Sequence, residues 1–144
     1  MTEAPFHAGL IALYDRGWRG VLIEGESGSG KSDLALRCLR LGFRLVADDR
    51  TALWVSQGRL FGRAPSPIAG LIEARGLGIL PVEALRFAEV KLAVRCLEPS
   101  DPLERLPDPA WRTLLGVALP RIAVRPMEAS SPDKVIRALT LLGG

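Results

Sequence analysis

Gly25, Glu26, Ser27, Gly28, Ser29, Gly30, Lys31 and Ser32 run consecutively and match G-x-x-x-x-G-K-[ST] at every fixed position. Successive main-chain N–H groups can converge on phosphate oxygens only where glycines admit positive φ and let the ligand approach closely. A helix opening at Lys31 would present its N-terminal donors and positive dipole end to the same anion. In this pattern Lys31 reaches the β- and γ-phosphates, and the Ser32 hydroxyl is placed to ligate Mg²⁺. The octet therefore predicts binding of a nucleoside triphosphate. Downstream, Asp48 and Asp49 stand together at the end of an apolar stretch. Two adjacent acids permit two tasks, one accepting a proton from an attacking hydroxyl and the other supporting a metal. The alternative is that Asp-Asp-Arg is a polar turn. A third feature, Glu73-Ala74-Arg75-Gly76-Leu77-Gly78, suits a loop that approaches phosphates while offering Glu73 to Mg²⁺, or else an ordinary turn. His7, the single histidine, reads on its own as a surface residue before a strand.

These residues need elements to hold them. Residues 9–14 and 20–24 are apolar runs either side of Asp15-Arg16-Gly17, which predicts a hairpin leading into the phosphate loop. After the loop, Leu34, Leu36, Cys38, Leu39 and Leu41 predict a mainly apolar helix over 31–41, closed by Gly42. Phe43 to Ala47 reads as a buried strand delivering Asp48 and Asp49 to its C-terminal end. Parallel neighbours would bring that end to the mouth of the phosphate loop. Residues 51–62 suggest a second hairpin turning at Gln57-Gly58, 64–80 a loop-rich stretch, and 87–97 a strand. Residues 98–109, with Pro99, Pro102, Pro107 and Pro109 among acids, form a surface connection. A strand over 119–124 and a helix over 132–142, with Ser131 as N-cap, complete the chain. Hairpins with few helices argue for an α/β fold in which a mixed sheet is flanked by helices, rather than a strictly alternating doubly wound fold.

At 144 residues, 48% apolar and 24% charged, the chain is the size of one domain, read here as residues 1–144. Disorder, collagen and coiled coil are excluded by composition, and no apolar run approaches the ~18 residues of a membrane span. The first five residues carry an acid where a secretory signal needs bases, so the expectation is a soluble, cytoplasmic protein. Cys38 and Cys96 are too few for a disulfide framework and lack metal-ligand spacing; one histidine excludes a multi-histidine zinc site. The net charge of +3 invites a nucleic-acid hypothesis, but sixteen arginines and eight aromatics are scattered rather than gathered into a stacking, basic patch. Neither nucleic acid nor membrane is an expected partner.

Taken together, the motifs resemble one family, HPr kinase/phosphorylase, and specifically its C-terminal catalytic domain. The resemblance runs through nearly the whole chain. It takes in His7 before an apolar hairpin, Gly25–Ser32, Asp33-Leu34-Ala35-Leu36, and Gly42-Phe43-Arg44-Leu45-Val46-Ala47-Asp48-Asp49. Glu73-Ala74-Arg75-Gly76-Leu77-Gly78-Ile79 is similar to the family's E-x-R-G-L-G-I signature, far more specific than the phosphate loop, and Glu104-Arg105-Leu106 to its D-R-L segment. The resemblance implies a nucleotide core similar to that of phosphoenolpyruvate carboxykinase. It also implies ATP- and Mg²⁺-dependent phosphorylation of a seryl hydroxyl of HPr, the phosphocarrier of the sugar phosphotransferase system or an HPr-like paralogue, and reversal by phosphorolysis to pyrophosphate. Hexamers are implied as well. Carried over by motif, Lys31 is the phosphate-binding lysine, and Ser32 and Glu73 are the Mg²⁺ ligands. Asp48 or Asp49 is the base toward the serine, with Asp48 preferred, while His7 and Arg105 complete the site, Arg105 stabilising transferring charge.

Three departures stand beside the resemblance. The family's usual N-terminal domain has no counterpart, which implies a short form. The connection from His7 to the phosphate loop is a few residues longer than usual. The family's late P-V-R-P-G-R-N loop, linked to phosphorolysis, is matched only by Val124-Arg125-Pro126-Met127-Glu128-Ala129, which weakens the phosphorylase half while leaving kinase chemistry intact. Two other readings stay open. One is a small-metabolite kinase with residues 99–109 as its lid; the other is a non-catalytic nucleotide sensor in which bound ATP sets affinity for a partner.

Overall fold

A computed structural model describes residues 2–144; Met1, the first residue of the segment judged unlike a secretory signal, lies outside the described residues. Eleven strands and two helices follow in order: β1 (Ala4–Phe6), β2 (Ala8–Tyr14), β3 (Trp18–Glu24), α1 (Lys31–Leu39), β4 (Arg44–Ala47), β5 (Thr51–Ser56), β6 (Arg59–Arg63), β7 (Leu71–Ala74), β8 (Gly78–Pro81), β9 (Ala88–Cys96), β10 (Ala110–Leu114), β11 (Val117–Val124) and α2 (Ser131–Leu142). Nine strands form one mixed sheet, seven of them in the order β1-β5-β6-β9-β3-β2-β4. Strand β11 lies parallel to the C-terminal half of β9 and carries β10 at its side. Strands β7 and β8 make a separate antiparallel ribbon that packs against α1.

Alternation along the strands sends apolar side chains to both faces. Ile11, Val21 and Ile23 pack with Leu34, Cys38, Val135 and Leu139 beneath the two helices. Leu10, Ala12 and Leu22 face the other way, onto Leu53, Leu60, Leu114 and Leu119. Each large side chain so buried contributes about 1.5–3 kcal/mol of transfer free energy. Val90 belongs to the second layer, yet Leu92 two residues on belongs to the helical layer. The register slips between Gly20/Val90 and Val21/Leu92, so a β-bulge reverses the alternation there. A similar slip between Leu10 and Ile11 leaves Val46 out of step just before β4 delivers Asp48.

The hairpins at Asp15-Arg16-Gly17 and Gln57-Gly58 form as expected, the latter with both turn residues at positive φ. The sheet is mixed and flanked by helices. Five details differ from the sequence reading. Strands β3 and β4 do run the same way, but each pairs antiparallel with β2, so they are not neighbours; their C-terminal ends share an edge with one strand between them. Residues 64–80 contain the β7–β8 ribbon and a single 3-10 turn at Ser66–Ile68, and 110–114 is a strand. Helix α1 stops at Leu39, two residues short, with Gly42 left-handed beyond it. Ser131 is the first residue of α2, with Ser130 at the cap position, and its hydroxyl donates to Arg125 O instead of accepting from a helix-terminal amide.

Both thiols are buried in the helical layer, and burial pushes Cys38 up to about 12 and Cys96 up to about 11. Only the thiolate is a nucleophile, so at pH 8 the native protein should resist iodoacetamide while both thiols react once guanidinium unfolds it. Stoichiometric labelling of the native protein within minutes, followed by mass spectrometry, would contradict this packing.

Candidate functional site

The end of β3 and the start of α1 are joined by the phosphate loop. A Cβ on Gly25 would fall 2.6 Å from Ser29 Oγ and 2.9 Å from Cys96 Cβ, so only glycine lets the chain leave the sheet beside β9. Gly28 and Gly30 take φ of 80° and 108°, and Gly30 hands the chain to α1 with its amides open to the cleft. Lys31 is 6% exposed and folds back over the loop, its Nζ donating to Gly25 O at 3.0 Å and Glu26 O at 3.1 Å. An ammonium has three donors, so one is left for an anion. Ser29 Oγ is buried and has no hydrogen-bond partner among the described residues, an orphan polar atom inside the loop.

Across from the loop, the Asp48 carbonyl accepts from Arg50 N at 2.7 Å, closing a three-residue reversal with Asp49 at φ 66° in its centre. Left-handed backbone at a non-glycine residue is uncommon, and aspartate is among the side chains that tolerate it. The reversal aims the two carboxylates apart. Asp48, 9% exposed, turns inward: Oδ1 accepts the Ser32 hydroxyl at 2.6 Å and Oδ2 accepts Glu73 N at 2.9 Å. One carboxylate thereby ties the first turn of α1 to the β7–β8 ribbon. Asp49 turns outward, where Oδ1 lies 2.8 Å from His7 Nε2; both side chains are about half exposed. An ionised carboxylate only accepts, so the imidazole donates.

Lys31, Ser32, Asp48, Asp49 and Glu73 line one cleft of about 730 Å³ over the N-terminus of α1, with Leu36, Ile72 and Ile79 as part of its apolar wall. The structure therefore brings the phosphate loop, the acidic pair and the Glu73 strand together, with His7 attached through Asp49. Arg105 is different. It sits on the exposed 98–109 connection, and no residue of that connection lines the cleft, so the connection is not the cleft's lid in this arrangement. The arginines that do line it are Arg50 and Arg75. Arg50 received no role from the sequence, although it directly follows the acidic pair. The dual bonding of Asp48 had no sequence signal at all, since its partners lie 16 and 25 residues away.

The chemistry of the donors fits a Mg²⁺-nucleotide. Ser32 gives its proton to Asp48, which leaves the hydroxyl's lone pairs free for a cation, and Glu73 adds an exposed carboxylate. Among the described residues no group of three or more His, Cys, Asp or Glu side chains is arranged to cage a metal alone. Mg²⁺ typically binds through one or two protein ligands together with phosphates and waters.

Comparison with known proteins follows the same outline. A family model described as the HPr Serine kinase C-terminal domain matches residues 1–138. A protein of Clostridium tetani named HPr kinase/phosphorylase is 43% identical over 83 residues, which are 58% of this chain and 26% of that protein. One of Leptothrix cholodnii with the same name is 37% identical over 117 residues, covering 73% of this chain and 36% of the relative. The chain thus spans between about a quarter and about a third of the length of these curated relatives. A solved structure, the Hpr(Ser) kinase/phosphatase from Coxiella burnetii, superposes with a TM-score of 0.77 at 31% identity, covering 95% of this chain and 88% of that one.

Proposed function

The chain belongs to the HPr serine kinase C-terminal domain family, and from that premise we propose that it transfers the terminal phosphoryl group of ATP, with Mg²⁺, to a seryl hydroxyl of HPr or an HPr-like phosphocarrier. The observation that carries this reading is the convergence of Lys31, Ser32 and the Asp48-Asp49 pair on one cleft. The amides following Gly28 and the free donor of Lys31 hold the phosphates, which makes positioning and charge neutralisation the main contribution. Mg²⁺, when bound, supplies neutralisation of the β- and γ-oxygens. Ser32 and Glu73 would hold it, with Asp48 keeping the serine hydroxyl turned the right way.

Proton acceptance falls to Asp49 in this proposal, in place of Asp48. Both Asp48 oxygens are engaged by Ser32 and Glu73, whereas Asp49 keeps Oδ2 open and has His7 fixing Oδ1. The seryl oxygen forms its bond to the γ-phosphorus, the bond to the ADP oxygen breaks, and the seryl proton passes to Asp49. Arg50 and Arg75 stand where they can meet the charge that Arg105 was expected to meet. Phosphorolysis is not part of the proposal, because the 124–129 segment lacks the family's pattern.

Incubation with γ-labelled ATP, Mg²⁺ and HPr-type proteins tests the reading. Label on a serine is the expected result. Label on a small molecule would favour a metabolite kinase, and binding without turnover a nucleotide sensor; either outcome overturns the proposal.

A further inference from the structure

The loop between β11 and α2 is fastened to the phosphate-binding helix rather than left free. Arg37, part-buried on α1, donates Nε to Asp33 Oδ2 at 2.8 Å, Nη1 to Glu128 O at 3.3 Å and Nη2 to Pro126 O. Behind it, Ser131 Oγ donates to Arg125 O, and the Arg125 guanidinium reaches Glu98 O at 3.3 Å and Asp101 O at 2.8 Å. Held this way, the loop rests on the phosphate loop: a Cβ on Gly30 would stand 3.2 Å from Pro126 Cβ and 3.3 Å from Met127 Sδ. Met127 lines the cleft and is 68% exposed, while the Glu128 carboxylate turns aside to Lys134 Nζ at 3.4 Å.

Direction along the cleft follows from helical spacing. Residues 32 and 36 share one side of α1, the side that faces Asp48 and the β7–β8 ribbon. Residues 33 and 37 share the next side, the side that carries the 125–130 loop. A nucleotide whose terminal phosphate lies with Ser32 and Asp49 crosses the N-terminus of α1 with its remaining phosphates. With the terminal phosphate there, the side left for its nucleoside is the 33/37 side, where Pro126 and Met127 stand. We propose that this loop is the second wall of the nucleotide site, with Met127 as its contact to the nucleoside and Arg37 as the residue that positions it. A flexible, polarisable thioether suits the face of a flat ring. This rests on the nucleotide reading above.

Calorimetry with two ligands, Mg²⁺-β,γ-methylene-ATP and Mg²⁺-tripolyphosphate, separates the two claims. Wild-type protein should bind both. Met127→Ala, at an exposed position that leaves folding intact, should weaken the ATP analogue by about fivefold and change tripolyphosphate by less than about twofold. Arg37→Ala should show the same selectivity, and the double variant should bind the analogue little worse than Arg37→Ala alone, since both changes remove one wall. Equal weakening of both ligands by Met127→Ala, or no weakening of either, would overturn the wall. Wild-type protein that binds neither ligand would overturn the nucleotide reading itself.

Discussion

Replacing Lys31 by alanine is expected to lower turnover at saturating ATP by a factor on the order of 10²–10³, the usual cost of removing one preorganised electrostatic donor. The ammonium is nearly enclosed and already held by Gly25 O and Glu26 O, so its remaining donor is aimed before the nucleotide arrives. No reorganisation is needed as charge shifts from the γ-phosphoryl toward the leaving oxygen. Alanine is a strong helix former, so the first turn of α1 should survive the change. Steady-state phosphorylation of an HPr-type substrate, with the circular dichroism spectrum as a fold control, reads the effect. Turnover within a few-fold of wild type would remove Lys31 from the chemistry.

The second large effect divides the acidic pair. Asp49→Asn should lower kcat by about 10²–10⁴ while leaving ATP affinity near wild type, because in the proposed mechanism it removes the proton acceptor and keeps the phosphate-binding donors of Lys31 and the loop. Asparagine also tolerates left-handed backbone, so the reversal at φ 66° is kept. Asp48→Asn should act differently. An amide has one acceptor oxygen, which cannot serve both Ser32 and Glu73 N as the carboxylate does. If the oxygen stays with Glu73 N, the amide nitrogen donates to Ser32 Oγ and the serine proton swings into the space proposed for Mg²⁺. The expected signature is a raised Mg²⁺ requirement and a raised KM for ATP. Measuring kcat and KM of both variants across Mg²⁺ concentrations decides the matter. A dead Asp48→Asn with normal nucleotide binding, beside an active Asp49→Asn, would return the proton to Asp48.

The phosphate loop was legible in the sequence because all its parts are contiguous and backbone chemistry restricts them to glycine, lysine and serine. The acidic pair was legible as a pair, but not in its roles. Those depend on the direction each carboxylate takes from a tight reversal, and Asp48 and Asp49 have the same composition and almost the same position. Arg37 and Pro126 stand 89 residues apart, and neither carries a motif that would join them. The β7–β8 ribbon was hidden by its own turn, since strands of four residues around Arg75-Gly76-Leu77 read as punctuation. Strand β10 follows directly on a proline-rich connection, and its 5 residues are too few for a clear apolar alternation.

The slip between Val90 and Leu92 also changes which side chains of that strand reach the helices. Strand β9 stays in the sheet between the two oily strata, but its even-numbered side chains change sides, Val90 lying in one and Leu92 and Val94 in the other. One continuous backbone therefore lends side chains to both strata and ends at the floor beneath the phosphate loop, where Cys96 stands beside Gly25.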